Sequence, residues 1–286
     1  MIKTIIKLIL CTVIYAIVFV MANALMPYSQ DFKELGASGN SADLLFMLIN
    51  AAWVCFTIYF IIHHTKYNGK KLFFNLLFIM FFVQAFMTQM ETLFFTGAFP
   101  VLTKLDIGLI MAANLIPLSA VILLLIKFFQ NKNAAIETEK HNINRVMAKL
   151  GIIGIIYLFV YMIFGYFVAW QFEELRIFYS NSAEKLGFFE HLLSNLQANP
   201  VIYPFQILRG ILFGVFVLPL INMVNKNKRV FITSVCLVYL CTAVMLIIPN
   251  ALFPDIVRIG HLIEMTGSMF LFGIITGNIL WIKKKT

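Results

Sequence analysis

The chain alternates long apolar stretches with short polar connections. Eight of these stretches are long enough to cross roughly 30 Å of hydrocarbon as helices, which rise about 1.5 Å per residue. They run approximately over residues 5–26, 42–63, 72–96, 106–129, 148–170, 204–225, 229–250 and 256–282. The pattern therefore predicts an all-α polytopic membrane protein with eight transmembrane helices, in which residues 1–286 form a single membrane domain.

The amino-acid composition agrees with this pattern. Hydrophobic residues make up 61% of the chain and charged residues 12%, whereas soluble domains have roughly 45–50% apolar and about 25% charged residues. Because so little polar chain lies outside the apolar stretches, no sizeable soluble domain is expected.

Basic residues gather at one end of the predicted helices. If the N-terminus lies inside the cell, 16 of the 22 basic residues are cytoplasmic: Lys3, Lys7, Lys66, Lys70, Lys71, Lys127, Lys132, Lys140, Arg145, Lys149, Lys226, Lys228, Arg229, Lys283, Lys284 and Lys285. The positive-inside rule then predicts cytoplasmic N- and C-termini and a place in the plasma (inner) membrane. Since these residues flank membrane helices, they favour contact with the lipid bilayer, and no nucleic-acid partner is expected.

The first stretch has some features of a signal peptide. Lys3 and Lys7 precede an apolar run that ends in the small residues Ala22 and Ala24. Cleavage there would leave seven helices. We favour a retained first helix, because the run is long for a signal peptide.

The chain contains a candidate internal duplication. Laying residues 42–96 over 201–254 matches two helix pairs across the basic turns 64–71 and 224–230, with Asn50 opposite Arg209 and Glu91 opposite Asn250. This predicts a tandem parallel repeat of four plus four helices, with halves 1–130 and 145–286. The alternative is that any two runs of phenylalanine-rich helices can be aligned.

The eighth stretch carries three ionisable residues at regular spacing, Arg258, His261 and Glu264. On an α-helix these side chains share one face with Ser268. A charge at the centre of a membrane helix costs roughly 2.5–3.5 kcal/mol, so such residues face protein or water and commonly mark a functional site.

Two other helices carry matching polar positions. Gln84, Thr88 and Glu91 lie on one face of the third helix, and Gln206 and Arg209 are one turn apart in the sixth. Measured along the helices, Glu264, Glu91 and Arg209 lie about 14, 12 and 8 Å below the outer ends. The sequence therefore predicts a substrate-binding cavity in the outer half of the bilayer, lined by Glu91, Arg209, His261, Glu264, Gln206 and Gln84.

The alternative for this set is helix adhesion, since Arg–Glu pairs and glutamines also join transmembrane helices. Arg258 is interpreted as an anchor that extends to the outer interface. Together with Glu173 and Glu174 it is assigned to the rim of the cavity. The glycine pairs Gly210/Gly214 and Gly273/Gly277 predict close helix packing nearby.

Known catalytic and metal-binding motifs are missing from the sequence. His261 and Glu264 supply two ligands to one ion at most, and all four cysteines fall in apolar stretches. There is no HExxH, no GxSxG and no Walker loop. We therefore assign no catalytic residue and expect no metal or cofactor.

Residues 171–203 form the longest outer connection. Leu186, Phe189, Leu193 and Leu196 lie on one helical face before Pro200. This predicts an amphipathic helix that lies on the outer leaflet or folds over the cavity as a lid.

Three functions remain open from the sequence. The first is the binding, and transport or sensing, of a small polar or amphipathic molecule or lipid. The second is an intramembrane enzyme that acts on lipid or lipid-linked substrates, with His261 and Glu264 as a base pair. The third is a non-catalytic subunit of a membrane complex, and the sequence does not specify the oligomeric state.

Overall fold

The computed structural model describes residues 2–36, 42–131, 143–224 and 227–281. Within these ranges, eight helices are long and apolar enough to span a membrane, which confirms the predicted class. They are Ile2–Leu25, Leu44–His64, Gly69–Phe94, Lys104–Phe129, Ile143–Gln171, Ile202–Met223, Lys228–Ile247 and Asp255–Leu280. The predicted bounds differ from these by a few residues at each end.

Several spans are built from more than one segment, and short helices connect them. In chain order the α-helices are α1 (Ile2–Leu25), α2 (Gln30–Gly36), α3 (Ala42–His64), α4 (Gly69–Met80), α5 (Met87–Phe94), α6 (Lys104–Phe129), α7 (Ile143–Phe167), α8 (Glu173–Ser180), α9 (Phe188–Ala198), α10 (Ile202–Val217), α11 (Pro219–Met223), α12 (Lys228–Val244) and α13 (Asp255–Leu280). A π-helical turn over Phe81–Phe86 joins α4 to α5 within the third span. Pro219 begins α11 and separates it from α10 within the sixth span.

The spans pack around one continuous apolar core. The closest neighbours are α12 with α13, α7 with α10, and α1 with α6. In the most apolar 18-residue segment of the seventh span 61% of the residues are buried, whereas in that of the first span 22% are buried. The seventh span therefore lies at the centre of the bundle, and the first span lies at its edge.

Glycines allow the backbones of two helix pairs to approach closely. A Cβ atom at Gly210 would lie 2.8 Å from the Cα atom of Gly154 in α7. One at Gly273 would lie 2.9 Å from the Cα atom of Cys236 in α12. Because real Cβ contacts are not this short, these glycines fix the α7–α10 and α12–α13 contacts, and the predicted close packing is confirmed.

The connections form two sets at opposite ends of the bundle. At one end, Ser29 bonds to Asp106 and Tyr179 bonds to His261. At the other end, the backbone N–H groups of Lys66 and Gly69 donate to Met223 O and Gln130 Oε1. We call the first end the outer end, following the charge pattern, and the orientation remains a prediction. Six of the basic residues that make up this charge pattern lie outside the described ranges: Lys132, Lys140, Lys226, Lys283, Lys284 and Lys285.

The internal duplication also remains a prediction. In the first half α1 contacts α3 and α6, and in the second half α7 contacts α10 and α13, which are the equivalent pairs. Of the aligned polar residues, Asn50 is buried like Arg209. Asn250, in contrast, lies in an exposed turn, whereas Glu91 lies within a helix.

Candidate functional site

An ion pair joins the third span to the sixth. Arg209 Nη1 lies 2.8 Å from Glu91 Oε1, and Arg209 Nη2 lies 2.7 Å from Glu91 Oε2. Gln206 Oε1 accepts a further hydrogen bond from Arg209 Nη1 at 3.0 Å. The arginine side chain is only 1% exposed, but the glutamate side chain is 29% exposed. The geometry is a charge-assisted, two-pronged pair, which is the strongest arrangement for arginine and carboxylate.

Aromatic rings surround the guanidinium group of Arg209. Its Cζ atom lies 5.6 Å from the ring centre of Tyr157, 5.8 Å from that of Phe205 and 6.0 Å from that of Phe213. Phe94 of the third span stacks on Phe205 with ring centres 4.0 Å apart. The aromatic contacts add cation–π attraction and hold the charge in one position beside α7.

A second polar group lies on α13 and reaches α8. His261 Nδ1 is 3.0 Å from Glu264 Oε2, and Tyr179 Oη is 2.9 Å from His261 Nε2. With the Nδ1 proton donated to the carboxylate, His261 Nε2 accepts the hydrogen bond of the Tyr179 hydroxyl. The side chain of Glu264 is 8% exposed and that of His261 is 21% exposed. A hydroxyl, an imidazole and a carboxylate therefore form one chain at the outer end.

The two polar groups belong to one region. The pKa of Tyr179 is raised well above its ordinary value by burial, and next by the negative charges of Glu91 and Glu264. On α7, Tyr157 and Tyr161 interact electrostatically with Glu91, Glu264 and Arg209. The third, sixth and eighth spans and α8 carry six residues that are linked by these bonds and charges, and we call this set the outer cluster: Glu91, Arg209, Gln206, His261, Glu264 and Tyr179.

Local packing holds α8 in place over this cluster. A Cβ atom at Gly260 would lie 2.7 Å from Leu175 Cδ1, so α13 and α8 are in direct contact. Arg176, which is 7% exposed, donates to the carbonyl oxygens of Trp170, Gln171 and Ala183. Tyr179 was not among the predicted site residues. The sequence offered one signal for it. Tyr179 lies four residues after the apolar Leu175, and Leu175 directly follows the acidic pair that begins α8.

Gln84 lies apart from the outer cluster, although the predicted stripe included it. Its Nε2 atom contacts Tyr15 Oη of α1 at 3.3 Å, and the residue is 1% exposed. Gln84 itself lies in the π-helical turn Phe81–Phe86, which interrupts the α-helical repeat before Glu91, and the two side chains face different neighbours. Glu91 also lies nearer the outer end than predicted, because α5 ends at Phe94.

The predicted rim residues have different surroundings. Glu173 and Glu174 are exposed in the first turn of α8. Arg258 is only 7% exposed, and its interpretation as an anchor at the outer interface stays a prediction. Its guanidinium group donates to the carbonyl oxygens of Leu246 and Ile247 and to Asp255 Oδ1, at 3.0, 3.0 and 2.9 Å. It joins the turn after α12 to the start of α13.

The amphipathic helix predicted in the outer connection is α9. Its apolar side chains Phe189, Leu193 and Leu196 are 81%, 56% and 49% exposed. An uncovered apolar face favours the membrane-surface alternative for α9, and α8 is the segment that contacts the outer cluster.

Among the described residues, no group of three or more histidine, cysteine or acidic side chains is placed to hold a metal ion. Comparison with known proteins finds no matching family model, no similar curated protein and no similar solved structure. The chemistry of the outer cluster is therefore the basis for any functional assignment.

Proposed function

We propose that this integral membrane protein binds a small polar or amphipathic molecule at the outer cluster and transports or senses it in a proton-dependent manner. In this proposal the protein lies in the plasma (inner) membrane with both termini in the cytoplasm. The observation that supports it is the electrostatic proximity of the Glu91–Arg209 pair to the Tyr179–His261–Glu264 chain, since Glu91 and Glu264 both act on Tyr179. Helix adhesion alone needs fewer ionisable groups.

The charges of the outer cluster suggest how a proton takes part. Two carboxylates, Glu91 and Glu264, are accompanied by one permanent cation, Arg209. With His261 neutral the region carries one excess negative charge, and uptake of one proton by the His261–Glu264 pair removes it. An anionic group of the ligand would replace Glu91 on Arg209 and add negative charge, so ligand binding favours proton uptake.

Access supports the same proposal. The side chains of Glu91 and His261 are 29% and 21% exposed, whereas that of Arg209 is 1% exposed. A ligand arriving from the outer end thus meets a titratable side chain first and the permanent cation second.

Proton movement in reconstituted vesicles tests the proposal. A pH-sensitive dye is trapped inside, and small organic anions and zwitterions are added outside one at a time. We expect at least one compound to drive proton movement in the wild type, and Glu264→Gln to abolish it. Asp106→Asn, which changes a buried carboxylate outside the cluster, serves as the control and keeps the coupling. Coupling that persists in Glu264→Gln, or the absence of coupling for every compound, contradicts proton-dependent transport.

A specific observation also favours a second function, an intramembrane enzyme. The Tyr179–His261–Glu264 chain has the order of hydroxyl, base and orienting acid that nucleophilic or general-base catalysis uses. An enzyme of this kind would act on lipid or lipid-linked substrates at the outer leaflet. Turnover of a defined phospholipid by the purified protein, lost in His261→Ala, supports the enzyme, and unchanged turnover in that variant contradicts it.

A further inference from the structure

Arg209 uses only part of its guanidinium group in the ion pair with Glu91. Its Nη1 atom donates to Glu91 Oε1 at 2.8 Å and to Gln206 Oε1 at 3.0 Å, and its Nη2 atom donates to Glu91 Oε2 at 2.7 Å. A guanidinium group has five N–H bonds in one plane. These three contacts therefore leave two N–H bonds, one on Nε and one on Nη2.

The two remaining N–H bonds lie on the same edge of the guanidinium group. By the naming of arginine atoms, Nη2 is the terminal nitrogen on the side of the Nε–H bond, so both protons point in parallel towards one place. Within the described part of the chain, Arg209 Nε is buried and has no hydrogen-bond partner. We call the Nε–Nη2 side of Arg209 the free edge.

A second buried donor without a partner lies next to Arg209. The side-chain nitrogen of Gln206, Nε2, has no acceptor among the described residues, and Gln206 is 0% exposed. Its orientation is fixed, because Gln206 Oε1 accepts from Arg209 Nη1. Buried polar atoms are hydrogen-bonded in the great majority of cases. This part of the sixth span therefore has donors in excess of acceptors, and it matches a ligand group that brings acceptors only.

The shape and charge of the site select among such ligands. Two parallel N–H bonds match the two oxygens of a carboxylate or a phosphate, whereas an amide offers one oxygen and a competing NH₂ group. Glu91 and Glu264 with Arg209 already leave one excess negative charge, so one further negative charge is less costly to add than two. The rings of Tyr157 and Phe205 lie 5.6 and 5.8 Å from Arg209 Cζ and suit an apolar ligand body.

The free edge also explains how a ligand can replace Glu91. Arg209 is 1% exposed, and removal of Glu91 before another anion arrives would leave a buried charge unpaired, which is strongly unfavourable. A ligand on the free edge supplies the second anion while Glu91 is still bound. Nη2 belongs to both edges, so the ligand enters beside Glu91, whose side chain is 29% exposed.

We propose that the ligand of the outer cluster is a monocarboxylate with an apolar body, which binds to the free edge of Arg209 before Glu91 is released. This inference rests on the function proposed above, because it names the ligand class of the same site. The carboxylate is the group that Arg209 recognises, and the apolar body packs against the aromatic rings.

The NMR signal of the arginine Nε–H group tests the proposal in the full chain, labelled with [15N]arginine and held in detergent micelles. The signal that is lost in Arg209→Lys belongs to Arg209. If that variant fails to fold, Glu91→Gln identifies the signal, because Glu91 bonds to Arg209. Three probes of similar shape are added at equal concentration: benzoate, neutral benzamide and doubly ionised phenylphosphonate. We expect benzoate to shift the Arg209 signal and the other two probes to leave it in place.

Binding of radiolabelled benzoate gives a second readout. Arg209→Lys keeps the positive charge but lacks the planar fork, so we expect benzoate affinity to fall about tenfold, which equals about 1.4 kcal/mol. Arg229→Lys, at an exposed position, is the matched control and keeps the wild-type affinity. An Arg209 signal that benzoate does not move, or that benzamide moves equally, overturns the proposal.

The outcome for this site is distinct from the outcome for proton coupling. If benzoate shifts the Arg209 signal but drives no proton movement in vesicles, the carboxylate site stands and proton-dependent transport of benzoate is contradicted. If a different compound drives proton movement while benzoate leaves the Arg209 signal in place, the proposed function stands and the monocarboxylate assignment is overturned.

Discussion

Two carboxylates, Asp106 and Glu264, lie in the last spans of the two predicted halves. Asp106 is in the first turn of α6 and Glu264 is in the third turn of α13, and each has a tyrosine nearby from the outer connection after the first span of its half. Tyr28 lies close to Asp106, and burial, then the charge of Asp106, raises the Tyr28 pKa to about 12. Tyr179 stands in the same relation to Glu264, with His261 between them. The two places nevertheless differ in chemistry.

The carboxylate of Asp106 is surrounded by backbone N–H and hydroxyl donors. Its carboxylate accepts from the N–H and hydroxyl groups of Ser29 at 2.7 and 2.8 Å, and from those of Thr103 at 3.0 and 2.6 Å. Together with Thr103 it forms a capping box at the start of α6. Glu264 instead contacts the imidazole of His261, whose other ring nitrogen contacts the Tyr179 hydroxyl. The first carboxylate is therefore held by local capping bonds, whereas the second belongs to a chain of polar side chains that joins α13 to α8.

The largest expected effect comes from removing the cation of the outer cluster. Arg209→Met leaves the Glu91 carboxylate without its partner. Loss of one partner of a buried ion pair costs about 3–5 kcal/mol, and the partial exposure of Glu91 places the loss towards the lower value. Chemical unfolding in detergent measures the change. Arg229→Met, at an exposed position, is the control and stays near the wild type.

Adding Glu91→Gln to Arg209→Met removes the unpaired charge. We expect the double variant to recover part of the lost stability. A double variant no more stable than Arg209→Met would mean that the pair is not coupled as the distances indicate.

A smaller effect is expected at the first-half carboxylate. Asp106→Asn replaces one acceptor oxygen with a donor that faces the donors of Ser29 and Thr103, which costs about 1–3 kcal/mol. Chemical unfolding in detergent measures this loss of stability, and Asp31→Asn at an exposed position of α2 is the control. Because Asp106 is structural in this account, proton coupling stays unchanged. A coupling defect in a stably folded Asp106→Asn protein would remove the distinction between the two carboxylates.

The smallest effect on stability is expected for Tyr179→Phe. It deletes one hydrogen bond, which contributes about 0.5–1.5 kcal/mol. It also exposes His261 Nε2, so carbethoxylation of His261, followed by mass spectrometry, becomes faster. Tyr203→Phe deletes a comparable bond to the carbonyl oxygen of Leu192 and leaves the His261 rate unchanged. Equal rates in the wild type and Tyr179→Phe would contradict the observed hydrogen bond.

The transmembrane spans could be predicted from the sequence, because an apolar stretch of this length is stable in few environments other than a membrane. The sequence was also sufficient to place Glu91, Glu264 and Arg209 at similar depths, where opposite charges lower each other's cost of burial. Gln84, predicted on the same face as Glu91, contacts Tyr15 of α1, and the π-helical turn in which it lies leaves no periodic signal in an apolar run. Tyr179 was missed, because an eight-residue helix is too short for a clear pattern. The carbonyl partners of Arg258 depend on the turn after α12, which side-chain spacing does not reveal.

Access to the outer cluster from the outer side can be measured with the variant His261→Cys. The native cysteines Cys11, Cys55, Cys236 and Cys241 are buried, so the wild type provides the unlabelled background. A membrane-impermeant thiol reagent is applied to right-side-out and to inverted vesicles that contain His261→Cys, with Ser234→Cys in the buried core of α12 as control. We expect labelling of position 261 from the outer side alone and no labelling of position 234. Labelling of position 261 from the cytoplasmic side, or from neither side, contradicts this expectation.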